Sequence, residues 1–168
     1  MRFFLVGLPG SGKSFWGKKI ATFLNLKFID LDEEIIKSKQ KDIHTLFVEN
    51  GENDFREIEH SLLKEIINQS TNFILSTGGG TPCFKDNLNL MKKGGAVFFL
   101  DSSIKSIAER LMANHKNERP LLEYSTQDEL MILLSNLLNK RRKFYEQAHK
   151  VLDLDKLSEA EILNHFIV

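Results

Sequence analysis

Short apolar runs alternate along the chain with longer segments in which apolar residues recur every three or four positions. The short runs, rich in Phe, Ile, Leu and Val, predict strands near residues 2–6, 27–31, 72–77, 96–101 and 150–153. The longer segments predict helices near residues 13–24, 33–50 in pieces, 53–69, 84–93, 103–113, 126–147 and 157–166. Strands that alternate with helices are typical of a parallel sheet covered by helices on both faces, so we expect an α/β fold.

No feature of the sequence divides the chain into domains. It contains no repeat, no low-complexity tract and no linker rich in Pro, Gly or Ser, so residues 1–168 are expected to form a single domain. Residues 114–124 (NHKNERPLLEY) have neither helical nor strand periodicity. Loops of this length in compact domains are usually functional or disordered, so we expect a mobile loop here.

The overall charge excludes some classes of partner. The chain has 23 Lys and Arg residues against 23 Asp and Glu residues, so no global field attracts nucleic acid or an acidic membrane surface. Cys83 is the only cysteine, which excludes an intrachain disulfide and fits a reducing compartment. The first apolar run is too short for a signal peptide or a membrane span. We therefore expect a cytoplasmic protein with a local anion site.

The segment GLPGSGKS, residues 7–14, follows the first predicted strand and precedes the first predicted helix. Its spacing fits the phosphate-loop pattern G-x-x-x-x-G-K-S/T through Gly7, Gly12, Lys13 and Ser14. Glycines let successive backbone N–H groups form a concave nest, and the helix adds its positive dipole end. We expect Lys13 to neutralise the β and γ phosphates and the Ser14 hydroxyl to bind Mg²⁺. The alternative is a glycine-rich turn without a ligand.

Two carboxylates lie at the end of the second predicted strand, Asp30 and Asp32. Ligands of open parallel sheets collect at this edge, and strand alternation would point both side chains the same way. One carboxylate could hold a water on Mg²⁺ and the other could accept the proton of an attacking hydroxyl. The alternative is a helix cap, because Asp32 precedes Glu33, Glu34 and an apolar helical segment.

Glycine and arginine supply the remaining candidates. The segment STGGGTP, residues 76–82, ends the third predicted strand, and its glycines either bring backbone N–H groups against a ligand or form a flexible turn.

Only 6 of the 23 basic residues are arginines. A guanidinium binds carboxylate or phosphate in a bidentate fork, although weak surface ion pairs are the alternative for any one arginine. Arg119 lies before Pro120 in the candidate loop, where it is suited to close over a γ-phosphate.

The segments GLPGSGKS, FIDLD, DFREIE, GGG, ERPLL and RRKFYEQA, in this order, resemble the shikimate kinase family of small P-loop kinases over residues 2–153. The resemblance implies ATP-dependent phosphorylation of the 3-hydroxyl of shikimate, in the pathway to chorismate and the aromatic amino acids. It implies a three-layer α/β/α fold with five parallel strands in the order 2-3-1-4-5. It also implies a substrate-binding helical region near residues 33–62, a lid near 114–124 and one Mg²⁺. We expect a monomer that binds ATP and shikimate.

The resemblance also implies a role for each motif residue. Asp32 resembles the proposed base, Asp30 the carboxylate that reaches Mg²⁺ through water, and Lys13 and Arg119 the phosphate-binding cations. Arg56 and Arg141 resemble the arginines that hold the substrate carboxylate, and Gly79 the likeliest glycine contact within Gly78, Gly79 and Gly80. The implied ATP-binding set is Gly10, Ser11, Gly12, Lys13, Ser14, Phe15, Arg110 and Arg119, with Arg110 stacked on adenine.

Two other functions stay open at this point. A kinase for another small hydroxylated acceptor, such as gluconate or a nucleoside monophosphate, would use the same loop and lid. A regulatory module would bind ATP without transferring phosphate, although it would need neither Asp32 nor Arg119.

The segment Phe15-Trp16 departs from the threonine that usually follows GKS in the family, and we expect Trp16 in the core. Cys83 is expected to be a small buried hydrophobe, with a reactive thiol as the alternative.

Overall fold

The computed structural model describes residues 1–113 and 124–167. Five strands form one sheet: β1 (Arg2–Val6), β2 (Lys27–Asp30), β3 (Phe73–Ser76), β4 (Ala96–Asp101) and β5 (Lys150–Asp153). Every neighbouring pair is parallel, and the order is β2-β3-β1-β4-β5. This order confirms the topology that the resemblance implied.

Seven α-helices and one 3₁₀ turn are present in the described residues. They are α1 (Lys13–Leu24), α2 (Leu31–Lys39), α3 (Ile43–Asn68), the 3₁₀ turn Thr81–Cys83, α4 (Asn87–Gly94), α5 (Ile104–Ala113), α6 (Gln127–Tyr145) and α7 (Glu159–Asn164). The predicted helix break near residue 51 is a kink inside α3, where Gly51 has φ 79° and ψ 169°. Helix α4 begins later than the predicted residue 84 because the 3₁₀ turn, with Pro82 at its start, comes first.

The sheet separates two hydrophobic cores. Along β1, Phe4 and Val6 face one core and Phe3 and Leu5 face the other, as strand alternation requires. The first core is covered by α2 to α6, and the second by α1 and α7. The three-layer α/β/α arrangement that the apolar runs predicted is therefore confirmed.

The carboxyl ends of the strands form one edge of the sheet, and β1 lies between β3 and β4. The loop after β1 is consequently flanked by the segments that follow β3 on one side and β4 on the other. This is the position at which open α/β sheets bind ligands. The predicted lid lies outside the described residues except for Tyr124. None of the described helices is long and apolar enough to cross a membrane.

Candidate active site

The loop between β1 and α1 has the backbone of a phosphate-binding nest. Gly10 and Gly12 adopt φ of 79° and 97°, in the left-handed region that favours glycine. Helix α1 begins at Lys13, and its first backbone bond joins Trp16 N to Gly12 O at 2.9 Å. The N–H groups of the first helical turn therefore point into the loop, where an anion also meets the positive end of the helix dipole.

Lys13 is the cation of this loop. Its side chain is 5% exposed, and Nζ donates to the carbonyl oxygens of Gly7 at 3.0 Å and Leu8 at 2.8 Å. The ammonium group is thus held across the loop, within reach of phosphate oxygens that enter the nest. Ser11, in the same loop, is fully buried, and its Oγ has no hydrogen-bond partner among the described residues.

Three oxygen-bearing side chains meet beside the loop. Ser14 Oγ donates to Asp30 Oδ2 at 2.5 Å and lies 3.3 Å from Ser76 Oγ. Ser14 lies in the first turn of α1, and Asp30 and Ser76 are the last residues of β2 and β3, whose carboxyl ends converge here. A set made only of hydroxyl and carboxylate oxygens suits a hard cation such as Mg²⁺, which takes few protein ligands and completes its shell with phosphate and water.

The two aspartates are placed differently from the strand prediction. Strand β2 ends at Asp30, whose Oδ1 accepts from the Asp32 N–H at 3.1 Å and so caps α2. Asp32 consequently lies in the first turn of α2, and the expected alternation along a continuing strand is wrong. The capping alternative applies to Asp30 rather than to Asp32. The Asp32 carboxylate still faces the glycine stretch: Oδ1 is 3.3 Å from the place a Cβ would take on Gly78.

A cavity of about 450 Å³ has Gly80, the last residue of the glycine stretch, in its wall. Its lining residues come from α3, the 3₁₀ turn and α6: Glu52, Asn53, Arg56, Gly80, Cys83, Phe84, Lys140 and Arg141. The structure therefore brings together Arg56 and Arg141, which lie 85 positions apart in the sequence. Two guanidinium groups at one cavity make a site for an anionic carboxylate.

Arg56 is held in the cavity wall by a buried carboxylate. Its side chain is 8% exposed and pairs with Glu59 at 2.8 Å and with Glu52 at 3.5 Å. Glu59 is fully buried and also accepts from the Thr81 hydroxyl at 2.5 Å. Burial raises the pKa of the Glu59 carboxyl above its usual range, and the nearby charge of Arg56 opposes that shift. The pair fixes the direction in which Arg56 presents its guanidinium.

The glycine stretch after β3 fits closely around these side chains. A Cβ on Gly78 would lie 2.6 Å from Glu59 Oε1, and one on Gly80 would lie 2.3 Å from Arg56 Nη2. The carbonyl oxygen of Gly79 accepts from the buried Tyr145 hydroxyl at 2.6 Å. The stretch is therefore packed against side chains of α3 and α6, which favours a wall over a flexible turn.

Comparison with known proteins agrees with this geometry. A sequence model described as shikimate kinase matches residues 9–168. The shikimate kinase of Azobacteroides pseudotrichonymphae genomovar. CFP2 is 40% identical over 166 residues, which cover 99% of this chain and 97% of that protein. The chain belongs to the shikimate kinase family.

Solved structures of shikimate kinases are also similar to this chain. The crystal structure of shikimate kinase from Bacteroides thetaiotaomicron has a TM-score of 0.88 and 39% identity, covering 98% of this chain and 93% of that one. Shikimate kinase from Acinetobacter baumannii in complex with shikimate has a TM-score of 0.87 and 27% identity, covering 98% and 89%. The chain is therefore an ATP-dependent kinase by family.

Within this shikimate kinase fold, Arg110 lies against the phosphate loop. Its Nη1 is 3.4 Å from the carbonyl oxygen of Gly10 and 3.3 Å from Ser102 Oγ, to both of which it donates. Phe15 is 59% exposed, and Trp16 is half-buried and packs against the second hydrophobic core, which confirms the expected core position in part. Arg119, the expected lid arginine, lies outside the described residues.

Cys83 lines the cavity that presents Arg56 and Arg141. Burial raises the pKa of its thiol to about 11, although the charges of Arg141 and Arg56 oppose the shift. The thiol is therefore neutral at physiological pH and is a poor nucleophile. This favours the small hydrophobic side chain that we expected over the reactive thiol.

Sequence reasoning missed the residues that support Arg56 and the segment after β3. Glu59 follows Arg56 by three positions in DFREIE, a spacing that places both on one helix face and could have been noticed. Asn87 Nδ2 donates to the Thr81 carbonyl at 2.8 Å, while its Oδ1 accepts from His60 Nδ1 at 2.5 Å. No local pattern predicts that link, because its three members come from α3, α4 and the 3₁₀ turn.

Proposed function

We propose that this chain transfers the γ-phosphate of ATP to the 3-hydroxyl of shikimate, giving shikimate 3-phosphate and ADP in the pathway to chorismate and the aromatic amino acids. The observation that carries the proposal is the junction of a phosphate loop with a cavity that presents Arg56 and Arg141. A small acid with several hydroxyls matches this combination, since the arginines bind its carboxylate and neighbouring carboxylates bind its hydroxyls.

The acceptor is held by residues on both sides of the cavity. Arg56, fixed by Glu59, and Arg141 bind the carboxylate of shikimate, and the backbone of Gly78, Gly79 and Gly80 contacts its ring. Asp32, in the first turn of α2, accepts hydrogen bonds from the ring hydroxyls. This arrangement points the 3-hydroxyl at the phosphate loop.

Catalysis then depends on positioning and on charge neutralisation, because phosphoryl transfer has a loose transition state that needs little covalent chemistry from the protein. Asp32 orients the acceptor hydroxyl and takes its proton. Lys13 neutralises the β and γ phosphates from within the loop, and Arg119 closes from the lid onto the transferred group. A lid that closes over bound shikimate also excludes water, the competing acceptor.

Mg²⁺ fits the oxygen cluster at the loop. Ser14 would contribute its hydroxyl directly and Asp30 would bind through water, which agrees with the 2.5 Å contact between their oxygens. When bound, the ion neutralises charge on the β and γ phosphates. We further propose one Mg²⁺ per chain and a monomeric, cytoplasmic enzyme without nucleic-acid or membrane partners. In this single domain, residues 33–62 form the acceptor region and 114–124 the lid.

A coupled assay of ADP release tests the proposed acceptor. The chain is supplied with ATP and Mg²⁺ and with no acceptor, shikimate, gluconate or AMP. We expect strong release with shikimate alone. Release that depends on gluconate or AMP would instead assign another small hydroxylated acceptor, and the absence of release with every acceptor would favour a regulatory ATP-binding module.

Arginine variants test the proposed roles. Arg56→Ala and Arg141→Ala should raise KM for shikimate about 30-fold, since a lost buried charge contact costs about 2 kcal/mol. Arg119→Ala should instead lower kcat by about a thousandfold with a modest loss of shikimate affinity. Arg142→Ala is the matched control for Arg141, because the neighbouring guanidinium pairs with Asp101 and Glu146. Equal effects of the first three variants on ATP affinity would contradict this division.

A further inference from the structure

The topology determines on which side of the phosphate loop the nucleoside lies. The glycine stretch Gly78 to Gly80, with the arginines that it packs against, forms the acceptor wall of the proposed function and follows β3. A Cβ on Gly79 would lie 2.7 Å from Pro9 Cδ, so this wall contacts the loop from the β3 side. Strand β4 lies on the other side of β1. Because the γ-phosphate must face the acceptor, the nucleoside must extend from the nest towards the β4 and β5 side.

Two side chains border the loop on that side. A Cβ built on Gly12 would lie 3.3 Å from Trp16 Cδ1 and 3.8 Å from Trp16 Nε1. The same point lies 3.8 Å from Arg110 Nη1. Trp16 and Arg110 therefore approach the phosphate loop at one place, although they belong to α1 and α5.

The Trp16 indole is held in place by its neighbours. Its ring lies 5.5 Å from the Phe15 ring in an edge-to-face arrangement, and the Lys19 ammonium lies 5.5 Å from its centroid. Lys19 also forms an ion pair with Glu159, at the start of α7. The half-buried indole is thus ordered on the side of α1 that faces α7.

The segment between β5 and α7 lies beside the start of α5. Asp155 accepts hydrogen bonds from the Ser103 N–H at 2.5 Å and from the Ser106 hydroxyl at 2.7 Å. These contacts tie the segment to the start of α5, the helix that carries Arg110. The region beside Gly12 is therefore bordered by an aromatic ring and a guanidinium, and the helix that carries the guanidinium is tied to the segment before α7.

We propose that Trp16 contacts the nucleobase of the bound nucleotide and forms, opposite Arg110, an aromatic wall of the base subsite. This inference rests on the ATP site of the proposed function. An indole presents a flat apolar surface, which every nucleobase can contact through its own π face. Trp16 consequently favours nucleotides over polyphosphates that carry no base, and it discriminates weakly between one base and another.

Intrinsic fluorescence tests the contact in the unmodified protein, because Trp16 is the only tryptophan of the chain. The protein is titrated with MgADP and, separately, with magnesium tripolyphosphate, and binding of both is measured by calorimetry. We expect ADP to change the Trp16 emission and tripolyphosphate to bind without that change. The same change with both ligands would show that Trp16 responds to the phosphate loop alone, and would overturn the proposal.

Variants test the energetic contribution. Trp16→Leu should raise KM for ATP about tenfold, leaving KM for shikimate and the inhibition constant of tripolyphosphate unchanged, and Trp16→Phe should restore most of the affinity. Phe23→Leu is the matched control, because Phe23 is an exposed aromatic, 48% accessible, on the same helix. It should leave both constants unchanged.

The outcomes separate this inference from the proposed function. If ADP binds and shikimate is phosphorylated but Trp16→Leu leaves KM for ATP unchanged, only the role of Trp16 is overturned. If Trp16→Leu does not fold, the Trp16→Phe variant and the fluorescence titration of the unmodified protein still decide. If ADP does not bind at all, the proposed function and this inference are both overturned.

Discussion

The two walls of the active site are both rich in glycine, but the glycines serve different physical needs. In the phosphate loop, Gly10 and Gly12 have φ of 79° and 97°, so the backbone itself requires glycine. Gly78 and Gly80 do not have positive φ, yet a Cβ on either would come within 2.6 Å of a side chain from α3. The glycine stretch after β3 needs glycine for space alone, whereas the loop needs it for conformation, and at Gly10 for space as well, because a Cβ there would lie 2.9 Å from Leu111 Cγ.

The two walls also differ in which parts of the sequence determine their structure. The loop is specified by eight consecutive residues between a strand and a helix, and its ligand groups are backbone N–H groups and Lys13. The acceptor wall is specified by contacts between distant segments, such as Thr81 with Glu59 and Tyr145 with Gly79. Local substitutions should therefore damage the loop directly, whereas the acceptor wall should be sensitive to changes that displace a supporting side chain.

The largest effect is expected at the cation of the loop. Lys13→Ala should lower kcat by about a thousandfold, because it removes a positive charge that is aimed at the transferred phosphate from a water-poor site. KM for shikimate should stay within about twofold, since the acceptor wall is built separately. Steady-state kinetics measure both constants. Lys18→Ala, an exposed lysine of the same helix, is the control, and a large rise in shikimate KM for Lys13→Ala would show that the walls are coupled.

The next effect is expected at the acceptor glycines. Gly80→Ala would place a Cβ 2.3 Å from Arg56 Nη2, the flexible end of that side chain. The guanidinium should move away from Glu59, raising KM for shikimate about 30-fold or more and lowering the free energy of unfolding by about 3–5 kcal/mol, because the buried carboxylate loses its partner, while KM for ATP changes little.

Gly12→Ala is the comparison for Gly80→Ala. It forces a side chain into φ of 97°, which costs about 1–2 kcal/mol of stability. It should therefore lower the unfolding free energy and ATP affinity and spare shikimate binding. Chemical denaturation and steady-state kinetics distinguish the two patterns, and identical patterns would refute the distinction between conformation and space.

A smaller effect is expected from the buried carboxyl. Burial raises the pKa of Glu59 above 4.5. Between pH 4.5 and the raised pKa, the Glu59 carboxyl is therefore protonated in the folded state and ionised in the unfolded state. Relative to Glu59→Gln, the protein should gain unfolding free energy as pH falls through the raised pKa, by about 1.4 kcal/mol per pH unit, and the difference should become constant below 4.5.

Urea unfolding at several pH values measures this difference. Glu57→Gln, which removes an exposed carboxylate of the same helix with an ion pair to Lys85, serves as the matched control. A difference between the protein and Glu59→Gln that decreases as pH falls would show that the charge of Arg56 outweighs burial at this site.

The last comparison is between the losses of unfolding free energy on removing two buried hydroxyls, and the second of these is the smallest effect we expect. Thr81→Val removes a donor to Glu59 and should lower the unfolding free energy by about 1–3 kcal/mol. Ser11→Ala removes a hydroxyl without a partner among the described residues, so the unfolding free energy should stay within about 0.5 kcal/mol or rise. ATP affinity should also persist, because the nest binds through backbone groups. Thermal and urea unfolding provide the values, and a large loss for Ser11→Ala would contradict this account of the loop.

The sequence alone predicted the fold and the phosphate loop. An apolar run of five residues needs a buried environment, which a solvated loop does not provide. The alternation of such runs with helical segments therefore predicted the strands of a covered parallel sheet. The loop pattern requires only neighbours along the chain, and Lys13 and Ser14 lie where it placed them. The strand order and the pairing of Arg56 with Arg141 came from the family resemblance rather than from any local pattern.

Only the tertiary structure decided how the acceptor wall is held together and where Trp16 lies. Asp30 takes the helix cap and so places Asp32 in a helical turn, which strand alternation did not predict. Glu59, Thr81, Asn87 and His60 form their contacts across three elements. Trp16 and Arg110 both approach Gly12 although 94 positions separate them. Local pattern determines backbone conformation, whereas contacts between side chains far apart in sequence depend on the packing of whole elements, which no short segment specifies.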